Sequence, residues 1–202
     1  MSNMPYGTVT SVLAISSVVV AGATLYFFVF WRWFEFWRRH RIATYTMAIV
    51  TFAVLGVVVG SWRREIFELR TEMPALVRGI GWIVVSLSLV LGFVADRQIG
   101  IRVRSFAPFF DEVGRLDLVT TGAYGLVRHP IYSAGIWYQL GTILITGSVA
   151  VSAAWIVLVL GARWFTKQEE RRVVLLLDDP TEYERYRKRV PALVPWFGTR
   201  DR

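Results

Sequence analysis

The longest apolar run of the chain decides its fold. Residues 131–165 read IYSAGIWYQLGTILITGSVAVSAAWIVLVLGARWF, and Arg163 carries the only charge in this run. One helix needs ~20 residues to cross ~30 Å of hydrocarbon, so the run is too long for a single membrane span. Because Gly147 and Ser148 interrupt it, the run predicts a tight hairpin of two helices, over about 131–146 and 149–166.

Three further apolar windows precede this run, over roughly 9–31, 42–62 and 76–95. Hydrophobic residues make up 54% of the 202-residue chain, which is too apolar for an ordinary soluble domain of this length. We therefore expect an all-α, polytopic membrane protein with five transmembrane helices and a cytoplasmic helical tail. The prediction is a single membrane domain over 1–202, in which 1–96 are a three-helix scaffold and 97–202 hold the motif-like segments.

The basic residues predict the orientation of the chain. Its net charge is +8, from 23 Lys and Arg against 15 Asp and Glu. In a soluble protein this excess would suggest nucleic acid, but in a membrane protein Lys and Arg collect in cytoplasmic loops. They concentrate after the first, third and fifth predicted spans. We therefore expect the N-terminus outside, the C-terminus inside, membrane lipids around the spans and no nucleic-acid partner, and the oligomeric state stays open.

Composition also restricts the chemistry. The chain has no cysteine, which excludes disulfides, thiolate metal sites and a cysteine nucleophile. It has only two histidines, His40 and His129, so a multi-histidine metal site is excluded as well. We predict no metal site.

Polar side chains flank the apolar hairpin on both sides. Residues 122–132 before it read GAYGLVRHPIY, and Glu169 and Glu170 follow it. The proline after Arg128 and His129 suits the first position of a helix. This arrangement would put both residues beside unpaired N–H groups at the positive end of the helix dipole, where carboxylate or phosphate groups bind.

The carboxylate pair and His129 each allow two interpretations. Glu169 and Glu170 lie where the last span should leave the membrane, and neighbouring basic residues could simply neutralise them there. Alternatively, with Arg128 they would hold a zwitterion such as S-adenosylmethionine, with Arg128 on its carboxylate and Glu on its ammonium or ribose hydroxyls. Tyrosine faces would then lie near its sulfonium. His129 is either a helix cap or a hydrogen-bond partner of the cofactor.

Two amphipathic segments also have alternative roles. Residues 100–120 mix aromatic and charged residues, as in a connector at the lipid headgroups, although Phe109 and Phe110 could line a lipid entrance. From Thr181 the spacing of Tyr183 and Tyr186 predicts a short amphipathic helix. That helix either adheres to the inner leaflet or folds back over the Arg-His site.

At these residues the chain resembles the isoprenylcysteine carboxyl methyltransferases and the membrane phospholipid methyltransferases. The shared pattern covers about 117–197 and comprises LVTxGxY at 118–124, RHPxY at 128–132, Gly141, the Glu pair, EYxxY at 182–186 and the prolines at 191 and 195. A Phe-Gly pair usual before the tail in these relatives is missing, and the segment 177–183 is slightly longer.

The resemblance implies an integral membrane enzyme with a cytoplasmic pocket for S-adenosylmethionine, in the half of the chain from 97 to 202. Its substrate would be a lipophilic small molecule or a prenylated acceptor, and catalysis would rest on alignment of the methyl group with the acceptor. Arg128 or Arg163 would orient an anionic acceptor. The implied cofactor-binding residues are Tyr124, Val127, Arg128, His129, Tyr132, Glu169, Glu170, Tyr183 and Tyr186. The alternatives are an NADPH-dependent sterol or steroid reductase, which shares the C-terminal motif, and a non-enzymatic membrane scaffold.

Overall fold

The computed structural model describes residues 7–99, 118–177 and 179–195, and in these ranges it contains helices and no strand. The predicted all-α fold is thereby confirmed for the described residues. The helices are α1 (Thr8–Arg32), α2 (Phe34–Arg39), α3 (Arg41–Ser61), α4 (Arg63–Ile66), α5 (Ala75–Gln98), α6 (Ala123–Leu126), α7 (Pro130–Thr146), α8 (Val149–Leu176) and α9 (Pro180–Arg189).

Four helices are long and apolar enough to cross a membrane, namely α1, α3, α5 and the Val149–Val174 part of α8. The predicted fifth span corresponds to α7, whose 17 residues would extend only about 25 Å at 1.5 Å per residue. The count of five spans therefore stays a prediction. Most of the segment 100–120, with Phe109 and Phe110, lies outside the described residues.

One boundary differs from the prediction, because α8 continues about ten residues beyond 166, to Leu176. Glu169 and Glu170 therefore lie within the helix, with almost two turns after them, and not at its C-terminus. They are therefore removed from the negative end of the helix dipole, where a carboxylate would be unfavourable.

The break between α7 and α8 is at the predicted residues. Gly147 has φ +61°, a conformation that glycine adopts without the steric cost of a Cβ. The connector before α5 fixes this turn, because the Thr71 amide donates to the Gly147 carbonyl (3.0 Å) and the Val149 amide to the Leu69 carbonyl (3.0 Å). The turn of the hairpin is therefore held by backbone hydrogen bonds.

The chain divides into two compact units that interleave along the sequence. The first comprises the described residues of 1–87 together with 136–161. Here α1 and α3 are joined by the Tyr26 hydroxyl, which donates to the Thr44 carbonyl (2.9 Å). The α5 and α7 backbones approach so closely that a Cβ on Gly141 would lie 2.9 Å from the Gly81 carbonyl oxygen. Small residues thus allow close helix packing, as is usual within membranes.

The second unit comprises the described residues of 88–135 and 162–202. It holds the end of α5, the short helix α6, the start of α7, the end of α8 and the tail helix α9. The sequence-based division into a scaffold at 1–96 and a catalytic half at 97–202 stays a prediction. The polar motifs that flank the hairpin all lie in this second unit, where their geometry is described next.

Candidate functional site

The loop before α7 is shaped by one glycine and one glutamine. Gly122 has φ +60°, and a Cβ at this position would collide with the side chain of Gln98. The Gln98 carboxamide oxygen accepts a hydrogen bond from the Ala123 amide (2.9 Å), which fixes the start of α6. Val127 is extended and fully buried, so the chain enters α7 in a fixed direction. Arg128 and His129 follow directly.

The two carboxylates of α8 reach the start of α7. Glu170 Oε1 accepts from Arg128 Nη2 (2.7 Å) and Nε (3.0 Å), and it lies 3.0 Å from His129 Nε2. Glu169 Oε1 accepts from the Tyr132 hydroxyl (2.7 Å), and its second oxygen lies 3.5 Å from His129 Nδ1. His129 thus lies between both carboxylates. We call these five side chains the Arg-His-Glu cluster.

The segment after α9 lies against the same helix start. Four successive carbonyls of this segment accept hydrogen bonds from the start of α7. The Val190 carbonyl accepts from the Arg128 guanidinium, and the Pro191 carbonyl accepts from the Arg128 amide (2.8 Å). The Ala192 carbonyl accepts from the His129 amide (3.0 Å), and the Leu193 carbonyl accepts from the Ser133 hydroxyl. The tail therefore takes the folded-back course, the second of the two predicted alternatives. The amides of Arg128 and His129, which precede α7, are thereby bonded to tail carbonyls and are not available to an anionic ligand.

The tail helix α9 presents its two tyrosines inward. The Asp179 side chain caps its start by accepting from the Thr181 amide (2.8 Å). Tyr183 and Tyr186 are buried, with ring centroids 6.0 Å apart, and pack with Val190 into a small core. The Tyr186 hydroxyl donates to the Tyr124 carbonyl (2.7 Å), which ties the tail to the loop that Gly122 and Gln98 shape.

The surroundings shift the pKa values of the groups outside the spans. Burial lowers the pKa of His129, but hydrogen bonds to Glu169 and Glu170 outweigh this effect and raise it above the ordinary value. Burial raises the pKa of Tyr186 to about 12, although the Arg128 charge partly opposes the rise. At neutral pH Tyr186 therefore stays a neutral hydrogen-bond donor, and His129 has an increased tendency to carry charge.

The structure brings together all but one of the residues singled out from the sequence. The nine predicted cofactor-binding residues meet in the second unit through the hydrogen bonds and packing described above. Arg163 is the exception: it is exposed, and among the described residues its side chain has no hydrogen bond or ion pair. Whether these residues bind a cofactor or act in catalysis stays a prediction.

Two further residues contribute to this geometry and were missed from the sequence. Ser133 is fully buried and bonds to the Leu193 carbonyl. It lies at i+4 from His129, one turn into α7, and this spacing was an available signal. Gln98 carried no local signal, because its role depends on a contact 25 residues away.

The cluster combines two carboxylates with an arginine, a histidine and a tyrosine hydroxyl. The side chains of Arg128, His129 and Glu170 are only 10%, 12% and 13% exposed, so these ionisable groups are largely removed from water. The carboxylates can accept hydrogen bonds from hydroxyl or ammonium groups of a ligand. Polar and ionisable groups assembled at this cost next to apolar helices usually serve a ligand.

One known family matches the segment of the chain that contains this site. Residues 76–175 match the model of the phospholipid methyltransferase family, a segment that includes nearly all of α5 through α8 and every member of the Arg-His-Glu cluster. Over this segment the chain is similar to that family of methyltransferases, and the resemblance recognised in the sequence is confirmed. The reductase alternative gains no support from this match. Searches among curated proteins and among solved structures gave no match.

Proposed function

We propose that this protein is an S-adenosylmethionine-dependent methyltransferase whose acceptor is lipophilic or embedded in the membrane. The acceptor would be a carboxylate like that of isoprenylcysteine, or a lipid. One observation carries the proposal: Glu169 and Glu170 are held by Tyr132, His129 and Arg128 beneath the tail, inside the segment that matches a methyltransferase family.

The donor and acceptor groups of the cluster fit S-adenosylmethionine. Carboxylate oxygens on α8 suit ribose hydroxyls and the ammonium group, and the aromatic faces of Tyr132, Tyr183 and Tyr186 suit a sulfonium. When bound, the cofactor supplies an electrophilic methyl group. The residues that would hold it are the nine implied by the resemblance: Tyr124, Val127, Arg128, His129, Tyr132, Glu169, Glu170, Tyr183 and Tyr186.

Arg128 and Arg163 have different roles in this proposal. The Arg128 guanidinium already donates to Glu170 and to the Arg187 and Val190 carbonyls, so its function is to hold the site together. Arg163 lies seven residues before Glu170, on the same face of α8 and about 10.5 Å earlier along the axis. Because it is exposed, Arg163 is the better candidate to orient an anionic acceptor.

The cofactor is tested by thermal unfolding of the purified full chain with S-adenosylhomocysteine and, separately, NADPH. A ligand at about 100 times its dissociation constant should stabilise the fold by about 2.7 kcal/mol. S-adenosylhomocysteine alone should raise the unfolding temperature. The Glu170→Gln variant should not be stabilised by S-adenosylhomocysteine. The Glu35→Gln variant should still be stabilised, because Glu35 is an exposed carboxylate outside the cluster. Stabilisation by NADPH alone would overturn the proposal.

The acceptor is tested by transfer of a labelled methyl group to a prenylcysteine carboxylate and to a phospholipid amine. Arg163→Gln should raise KM for a carboxylate acceptor without changing S-adenosylhomocysteine binding. Lys167→Gln is the matched control, because Lys167 is an exposed cation one turn further along the same helix. Equal effects of both substitutions would remove Arg163 from its assigned role.

We also propose that the site faces the cytoplasm, with the N-terminus outside. The absence of native cysteine makes this testable with single introduced thiols. Glu182→Cys in α9 should react with a membrane-impermeant maleimide only after the cells are opened. Glu72→Cys, before α5, should react in intact cells. The reverse pattern would invert the topology and leave the cofactor proposal intact.

A further inference from the structure

A cavity of about 860 Å³ lies in the first unit and is separate from the residues assigned above. It is open on one side and is lined by the start of α1, the connector before α5, the first two turns of α5 and the end of α7. The side chains that decide its chemistry are Arg70, Glu72, Met73, Arg78 and Trp82. Its volume is within the range of small-ligand sites, which is roughly 300–1,000 Å³.

The connector that forms one wall is held in place. The Thr71 amide donates to the Gly147 carbonyl, and Arg70 pairs through its backbone with Ser148. Phe67, just before the connector, is 98% buried in the core formed with Ala14 and Val151, since only 2% of its surface is exposed. The backbone from Leu69 to Thr71 is therefore held by hydrogen bonds, which fixes this wall of the cavity.

The lining has two kinds of chemistry. Arg70 and Arg78 carry positive charge against the single carboxylate of Glu72, so the charged side chains sum to +1. Guanidinium groups form paired hydrogen bonds with phosphate oxygens. Trp82 and Ile145 supply an apolar surface. A ligand that fits this lining has a phosphate group joined to an apolar portion.

The position of the cavity points to a lipid as the source of that phosphate. It lies where α1 and α5, two candidate membrane spans, begin. Beside it, the first turns of α5 expose large apolar side chains at helical spacing, including Leu76, Ile80 and Ile83. Arginine and tryptophan at the end of a spanning helix meet the headgroup layer of the bilayer. We propose that this cavity binds the phosphate headgroup of a membrane phospholipid, with acyl chains along α5.

The test uses the purified full chain and a short-chain phosphatidylglycerol, with glycerol 3-phosphate and inorganic phosphate as lipid-free probes. Binding is measured by retention of lipid in native mass spectrometry and by the shift in unfolding temperature. We expect Arg78→Gln to weaken lipid binding by about tenfold, as loss of one charge-assisted hydrogen bond would. Arg64→Gln, an exposed arginine near the same connector that does not line the cavity, should have no effect.

Three results would overturn the proposal: equal weakening by both substitutions, no weakening by Arg78→Gln, or binding of inorganic phosphate as tight as that of the lipid. Arg78 is exposed on a helix, and the unfolding temperature without lipid checks that the variant folds. Arg70→Gln provides a second variant. S-adenosylhomocysteine binding should be unchanged in all of these variants, so failure here is distinct from failure of the proposed function.

Discussion

Two buried polar regions of this protein satisfy their polar groups in different ways. Between α1 and α7 the polar side chains are neutral and bond mainly to backbone carbonyls: Ser17 to Leu13 (2.8 Å), Gln139 to Ser17 (2.9 Å) and Thr142 to Tyr138 (2.9 Å). In the Arg-His-Glu cluster the side chains are ionisable and bond to one another. Neutral groups can be satisfied within packed helices at little cost, whereas charged groups require partners of opposite charge. The charged region is therefore the one expected to bind a ligand.

The largest effect should come from removing the carboxylate that joins the cluster. Glu170→Ala leaves Arg128 and His129 largely buried without their shared acceptor, and breaking such a pair costs about 3–5 kcal/mol. We expect a large fall in unfolding temperature and loss of S-adenosylhomocysteine binding. Glu170→Gln, which keeps one oxygen, should unfold at a higher temperature than the alanine variant. Equal stability of wild type and Glu170→Ala would show that the cluster contributes nothing to the fold.

The second effect separates stability from binding. Gly147→Ala would direct a Cβ into the Thr71 carbonyl at φ +61°, with a cost of about 2 kcal/mol or more in unfolding free energy. Because Gly147 lies in the first unit, S-adenosylhomocysteine affinity should not change. Gly56→Ala is the control: nothing lies within 4 Å of its added Cβ, so it should gain up to about 1 kcal/mol. A loss of affinity in Gly147→Ala would contradict this separation.

A third, smaller effect concerns pH. The pKa of His129 is raised in the folded state, so its charged form stabilises the fold at pH values below about 6.5. This contribution is lost as pH rises through the raised pKa. Between pH 6 and 9, the unfolding free energy of the wild type should therefore fall relative to that of His129→Gln. Plotted against pH, the two unfolding free energies should converge. Parallel curves across this range would exclude His129 as the titrating group.

The smallest effect is expected in the neutral region. Gln139 is fully buried, and its side-chain oxygen has no hydrogen-bond partner in the described part of the chain. Gln139→Leu removes this unsatisfied oxygen together with one hydrogen bond, so unfolding free energy should change by less than about 1 kcal/mol. A loss comparable to that of Glu170→Ala, measured by the same thermal unfolding, would erase the contrast between the two regions.

Much of the fold was predictable because it depends on local patterns. The apolar windows and the break at Gly147 predicted three long helices followed by the α7–α8 hairpin, and the structure has them. The end of α8 was misplaced because charged residues after 166 were interpreted as the end of the helix. A helix continues through charges when other elements pack against it, as α9 does around Val173 and Val174.

The candidate site was predictable as a set of residue types and less so as a set of contacts. The order Arg-His-Pro followed by Glu-Glu indicated groups that belong together. It did not indicate that Arg128 would be engaged by both Glu170 and the tail carbonyls. It also did not indicate Gln98, whose partner is 25 residues away in the sequence.

The sequence by itself determined the helical membrane class, the hairpin and the family that its central segment resembles. Each follows from periodicity, length or residue order, which are properties of neighbouring positions. Only the tertiary structure decided which donor meets which acceptor: His129 between two carboxylates, and four tail carbonyls on the start of α7. Such pairings join residues about 40 to 60 positions apart, and they form because buried charges and backbone groups must find partners away from water.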